Sequence, residues 1–176
     1  IKGPAVSVLG HALPAAPTPA EFDSRKHVIF LGNLAHDDTP NTDSFIWFVD
    51  DIMPKLDTVF EGSTRFLVAG RNDADAVRAR HSGRIDLLGP VPDLAALFNQ
   101  CRVFVAPTRY SAGIPHKVHQ AASLGVPVVA TSLLARQLGW ENERHLLVAD
   151  SAEDFAAAVA RLFHDATLWE AIRAGA

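Results

Sequence analysis

"VFVAPTRYSAGIPHKVHQAASLGVPVVAT", residues Val103 to Thr131, holds a strand-like run, a glycine turn, a helix-length segment and a second strand-like run. Val103 to Pro107 and Pro127 to Thr131 are apolar on consecutive positions, the pattern of strands buried on both faces. The spacer from about Pro115 to Leu124 is of helix length. Strand, helix and strand in this order make a βαβ unit, which requires parallel strands and a crossover helix.

The unit repeats along the chain. "HVIFL" (His27 to Leu31) ends at Gly32. A helix capped by Thr42 or Asp43 is expected to run through Phe60, with Phe45, Ile46, Val49, Ile52, Met53 and Leu56 on its apolar face. Strand "RFLVAG" (Arg65 to Gly70), a helix from about Asp73 to His81, strand "IDLLG" (Ile85 to Gly89) and a helix from about Pro92 to Gln100 follow. After the quoted unit come a short strand near Leu147, a helix from Ala152 to Phe163 and a further helical piece from Thr167. The expected fold is α/β, a Rossmann-like doubly wound parallel sheet spanning residues 27–176. Residues 1–26 carry four of the eleven prolines and read as an N-terminal tail or interdomain linker, with "AVSVLG" as a short strand before it.

The length of 176 residues suits one domain, and 48% apolar with 20% charged residues suits a globular core. A net charge of −4 argues against a nucleic-acid partner, while leaving room for a local basic pocket. The single cysteine, Cys101, excludes an internal disulfide and a cysteine-based zinc cluster and fits a reducing, cytoplasmic setting. No apolar run approaches the ~20 residues that span a bilayer, and no secretory leader pattern is found, so the chain is expected to be soluble. G-x-G-x-x-G after the first strand, G-x-x-x-x-G-K-[ST] and G-x-S-x-G are all absent, which removes the usual support for dinucleotide oxidoreductase, P-loop and α/β-hydrolase chemistry.

Ligands of doubly wound sheets bind beyond the carboxyl ends of the strands. There, Gly113, Ile114 and Pro115 open a helix whose unpaired N–H groups suit an anion. Lys117, one turn in, adds a full charge, and Arg109 a second. Gly32 and Asn33 let the facing backbone come close. A diphosphate fits this set best; the alternative is an ordinary helix start. His116 and His119 lie three apart, but nothing nearby completes a metal set, and His36, Asp37 and Asp38 read as solvated turn residues. Trp47, Trp140, Trp169 and Cys101 read as packing residues. No metal and no cofactor are expected.

"FLGNLAHDDTPNTDSFIWFVDDIMPKL", "LLGPVPDLAALFNQCRVFVAP", "GIPHKVHQAASLGVPVVAT" and "LLVADSAEDFAAAVARLFHD" together resemble the C-terminal, sugar-nucleotide-binding domain of GT-B fold glycosyltransferases, particularly retaining enzymes of family 4 (group 1). The resemblance runs from His27 to nearly the end of the chain. It implies transfer of a sugar, with retention, from a nucleoside diphosphate sugar to a glycan, lipid or small-molecule acceptor. That acceptor would be bound with the help of an N-terminal domain, and the 176-residue piece alone would be inactive. The full-length protein would be cytoplasmic or membrane-peripheral.

The resemblance assigns Pro90 and Val91 to the nucleobase and Gly113 to Lys117 to the diphosphate. Gln120 falls where many relatives place the second of two glutamates seven residues apart, the one that holds the donor ribose; the first falls at Ala112. Asn33 stands where relatives carry a basic residue. These departures support an alternative, a degenerate non-catalytic nucleotide-binding or docking module. A sugar-nucleotide 2-epimerase shares the architecture and is a third reading.

Overall fold

The computed structural model describes residues 13–111 and 113–176. The strand expected within "AVSVLG" and the residue Ala112 lie outside the described residues. Six strands form one parallel sheet: β1 (His27–Leu31), β2 (Phe66–Ala69), β3 (Ile85–Gly89), β4 (Cys101–Ala106), β5 (Val128–Ala130) and β6 (Leu147–Val148). Their order is β3-β2-β1-β4-β5-β6, every neighbouring pair parallel. The chain builds outward from β1 to one edge, returns to its other side at β4 and builds to the opposite edge. The expected doubly wound fold is therefore the observed one, with its reversal point between β1 and β4.

Successive side chains of a strand point to opposite faces, and the core divides accordingly. Val28, Phe30, Phe66, Val68, Val103 and Val105 join one buried cluster with Phe45, Phe48, Phe155 and Val159. Ile29, Phe104, Ala106 and Val128 join the other with Val118, Ala121 and Leu134. The first face is covered by α1 (Pro40–Trp47), α2 (Asp75–Arg78), α6 (Ala152–His164) and α7 (Ala166–Gly175). The second is covered by α3 (Leu94–Phe98), α4 (His116–Ser123) and α5 (Ser132–Leu138). Burying each of the large side chains contributes about 1.5–3 kcal/mol, which is why strands without polar alternation are stable only in this sandwich.

Several helix limits differ from the sequence reading. α1 starts at Pro40, not at Thr42 or Asp43: Thr39 caps it by accepting a hydrogen bond from the Thr42 amide at 3.2 Å, and proline suits the first helical position. The expected run to Phe60 ends early, in a π turn at Phe48–Ile52 and a 3-10 turn at Met53–Lys55. Pro54 lacks the amide hydrogen that an α-helix would need there. α2 and α3 are shorter than expected. α5 was not anticipated; the Ser132 amide donates to the Asp150 carboxylate at 2.9 Å, and Gly139, at φ 67°, closes its far end.

Residues 16–26 are fastened to the domain by hydrogen bonds. The amides of Ala16 and Thr18 donate to the carbonyls of Ser123 and Leu124 at the end of α4. Arg25 is fully buried and donates to the carbonyls of Ala20, Phe98, Cys101 and Thr18 and to the Thr18 hydroxyl, at 2.8–3.2 Å. Its guanidinium lies 5.3 Å from the centre of the Trp169 ring. Desolvation, followed by the nearby Arg173, lowers its pKa to about 10. Among the described residues no helix is long and apolar enough to cross a membrane.

Replacing Arg25 by methionine keeps the volume but removes five donated hydrogen bonds. The expected loss is on the order of 3 kcal/mol of unfolding free energy, read from the midpoint of a urea titration. A midpoint unchanged within error would show that this segment adds nothing to the stability of the domain.

Candidate functional site

The loops after β1 and β4 part at the reversal point and leave a cleft of about 560 Å³. Its walls include Gly32 and Asn33 after β1, Gly70 and Arg71 after β2, Pro90 after β3, and the segment from Ile114 to Lys117. Among the described residues its lining contains no aspartate or glutamate, although the chain as a whole is acidic. Its lining includes two residues with a formal positive charge, Lys117 and Arg71, the latter with its guanidinium on Asp73.

The floor is set by close backbone contacts. Gly70 adopts φ 108°, and a Cβ on it would lie 2.1 Å from the Gly32 carbonyl oxygen, so only glycine permits the two loops to touch. A Cβ on Gly32 would lie 2.7 Å from the Phe30 ring. The Gly32 amide donates to the Ala69 carbonyl at 3.0 Å and the Leu34 amide to the Arg71 carbonyl at 2.6 Å. Beneath the cleft, the Ser44 hydroxyl donates to the Pro40 carbonyl at 2.6 Å and accepts from the Thr108 hydroxyl at 3.3 Å, and the Thr131 hydroxyl donates to the Thr108 carbonyl at 2.6 Å. These buried hydroxyls tie α1, β4 and β5 together at the reversal point.

Lys117 is half-buried on α4. Its Nζ donates to Asn41 Oδ1 at 2.5 Å and lies 4.8 Å from the centre of the Phe30 ring. Asn41 in turn donates through Nδ2 to the Asn33 carbonyl at 3.3 Å. One amide side chain thus links the β1 loop to the lysine of α4. Burial lowers the Lys117 pKa to about 8, with no carboxylate among the causes to hold the charge. Such an ammonium is a poorly solvated cation that an incoming anion would relieve.

Gly32, Asn33, Pro90, Ile114 and Lys117 are brought together at this cleft. Arg109, Val91, Gly113 and Gln120 are not among its lining residues. Arg109 is engaged beside it: Nε and Nη2 donate to the Asp43 carboxylate at 3.0 and 2.5 Å, and the guanidinium lies 5.3 Å from the Trp47 ring centre. This pairing raises the Arg109 pKa. Gln120 lies one turn beyond Lys117 and is half-buried. Asn41, Arg71 and Thr108 belong to the cleft and were not singled out from the sequence, whereas Gly70 marks one of the loops that the sheet's ligand-binding edge selects. The doubly wound topology carried a signal for Gly70 and Arg71, because the loop after β2 opens on the same edge.

The residues read as packing groups pack. Trp47 meets Phe155 edge to face, Trp169 is fully buried and donates from Nε1 to the Arg102 carbonyl at 2.7 Å, and His119 meets Trp140 edge to face at 5.4 Å. Cys101 is fully buried, and burial pushes its thiol pKa up to about 12, far from a nucleophile's range. Asp37 accepts from the Ala76 amide at 3.1 Å, at the start of α2. Among the described residues no group of three histidine, cysteine or acidic side chains is placed to hold a metal ion.

Residues 25–165 match the model of the glycosyl transferases group 1 family. No curated protein matches the sequence. Among solved structures, a mutant of S. aureus TarM in complex with Fondaparinux, α-GlcNAc-glycerol and UDP superimposes with a TM-score of 0.71 at 16% identity, over 93% of this chain and 33% of that one. Anabaena HepE in complex with UDP and glucose gives 0.69 at 15% identity, over 88% of this chain and 43% of that one. The C-terminal domain of the group 1 glycosyl transferase LpcC from Francisella tularensis gives 0.65 at 14% identity, over 92% and 91%. At these identities the likeness is one of fold, and the chain spans from a third to under half of the TarM and HepE structures but nearly all of the isolated LpcC domain. By its family match and its six-stranded sheet, the chain belongs to the glycosyl transferases group 1 family and has the form of the C-terminal domain of a GT-B glycosyltransferase.

Proposed function

We propose that this chain is the donor-binding domain of a glycosyltransferase that moves a sugar, with retention, from a nucleoside diphosphate sugar to an acceptor. The observation that carries the proposal is the cleft at the reversal point, free of carboxylates among the described residues and faced by Lys117. HepE has also been solved with UDP-glucose, which supports this ligand class by similarity of fold. Residues 1–26 would join the domain to an N-terminal partner that helps hold a glycan, lipid or small-molecule acceptor.

In this reading the diphosphate lies against the start of α4, where Ile114, Pro115 and Lys117 line the cleft. The lysine charge stabilises the negative charge that grows on the diphosphate as the sugar departs, while the amides of His116 and Val118 are already donated to the Ile114 and Pro115 carbonyls. Gly32 and Asn33 approach from the facing loop, and Pro90 offers its backbone to the nucleobase. Most of the rate gain comes from positioning donor and acceptor together. Arg109 contributes to the diphosphate only by exchanging its Asp43 partner.

Asn33 and Gln120 favour a second reading, a nucleotide-binding or docking module without catalysis. Gln120 is absent from the cleft lining and offers an amide in place of a carboxylate. Calorimetric titration of the chain with UDP, GDP and ADP separates a nucleotide site from a module that only docks a partner. Binding by one of them supports the donor site; silence from all three at millimolar concentration leaves a docking module.

Two further outcomes test Lys117. Lys117→Ala is expected to weaken the binding nucleoside diphosphate by roughly tenfold to a hundredfold, the worth of a charge-assisted hydrogen bond, and the nucleoside alone far less. Equal losses would place Lys117 away from the phosphates. The second outcome concerns pH. Lys117 is charged below its lowered pKa of about 8, so diphosphate affinity should be full below that value and fall as pH rises through it. Lys117→Arg, which stays charged, should flatten that profile in the same titrations run from pH 6.5 to 9.5.

A further inference from the structure

The sequence suggested Arg109 as a second cation beside Lys117, but Arg109 is held by Asp43 and does not line the cleft. Arg71 does line it. Its position follows from the fold: it immediately follows Gly70 at the end of β2, the strand beside β1, while Lys117 stands on α4, which follows β4 on the other side of β1. The loop after β1 is thus flanked by one cation on each side. The backbone of Arg71 is fixed there, because its carbonyl accepts from the Leu34 amide at 2.6 Å and the preceding Gly70 is packed against the Gly32 carbonyl.

The Arg71 side chain is exposed, and its present partner is replaceable. Nε and Nη2 both donate to a single oxygen of Asp73, Oδ2, at 3.0 and 2.7 Å. The other oxygen, Oδ1, already accepts from Arg78 at 3.3 Å. Two arginines therefore share one carboxylate, and Arg78 can keep Asp73 compensated if Arg71 turns to a ligand. An exposed pair of this kind is only weakly stabilising, so exchange costs little. The guanidinium fork matches phosphate oxygens in pairs, which the point charge of a lysine does not.

We infer that Arg71 is a second diphosphate-binding residue of this cleft, gripping the phosphates from the β2 side while Lys117 holds them from the α4 side. The inference rests on the donor-site reading above and adds the residue that completes its charge. Two cations and a lining without carboxylates complement the two negative charges of a nucleoside diphosphate sugar.

The test titrates the 176-residue chain and its Arg71→Ala and Arg71→Gln variants with UDP, GDP and ADP and with the matching nucleosides. For the diphosphate that binds, both variants should lose roughly tenfold or more in affinity while nucleoside binding stays within about twofold, which also shows that they are folded. The loss should shrink in 0.5 M salt, as expected for a screened charge contact. Diphosphate binding within twofold of the parent, or an equal loss for diphosphate and nucleoside, overturns the role of Arg71 while leaving the donor site standing. No binding of any diphosphate by the parent chain overturns the donor-site reading and this inference together.

Discussion

The pairing of β1 with both β2 and β4 is the constraint on which everything else in this domain depends. Because the first strand lies inside the sheet, its neighbours' connections must leave in opposite directions. Their loops separate at its carboxyl end, and the cleft is the space that separation leaves. The same central position buries Val28, Ile29 and Phe30 completely, so β1 is anchored by apolar burial on both faces before any polar contact is counted. Only after that can Gly32 and Gly70 bring two loop backbones into contact.

The polar contacts around the cleft show how an acidic chain makes a site for an anion. Its carboxylates are engaged elsewhere: Asp43 holds Arg109, Asp73 holds Arg71 and Arg78, and Asp150 receives the first amide of α5. Lys117 is left with an amide and an aromatic ring as neighbours, a setting that keeps the ammonium in place without neutralising it. The link from Asn33 through Asn41 to Lys117 also joins the β1 loop to α4. At the other end of α4, the carbonyls of Ser123 and Leu124 are taken by Ala16 and Thr18, so the helix is held at both ends by segments distant in sequence.

Much of the fold was legible because buried parallel strands have a sequence pattern of their own. The strands appeared where apolar runs ended at turn residues, and Ile85 to Gly89 coincides with β3 residue for residue. Helix ends were harder, since they hang on single hydrogen bonds. Thr39 outcompeted Thr42 as the cap of α1 because Pro40 could occupy the first helical position. α5 has little periodic signal of its own, and its start is fixed by Asp150, eighteen residues away.

The sequence by itself determined the parallel α/β class, the edge of the sheet on which a ligand would sit, and the candidacy of Gly32 and Lys117. Period, turn residues and helix-start chemistry are local properties, readable within a few neighbours. Only the tertiary structure decided which charges meet at that edge. It drew Arg109 away to Asp43 and brought Arg71, Asn41 and Thr108 to the cleft, because a side chain's partner depends on which loops the strand order makes adjacent.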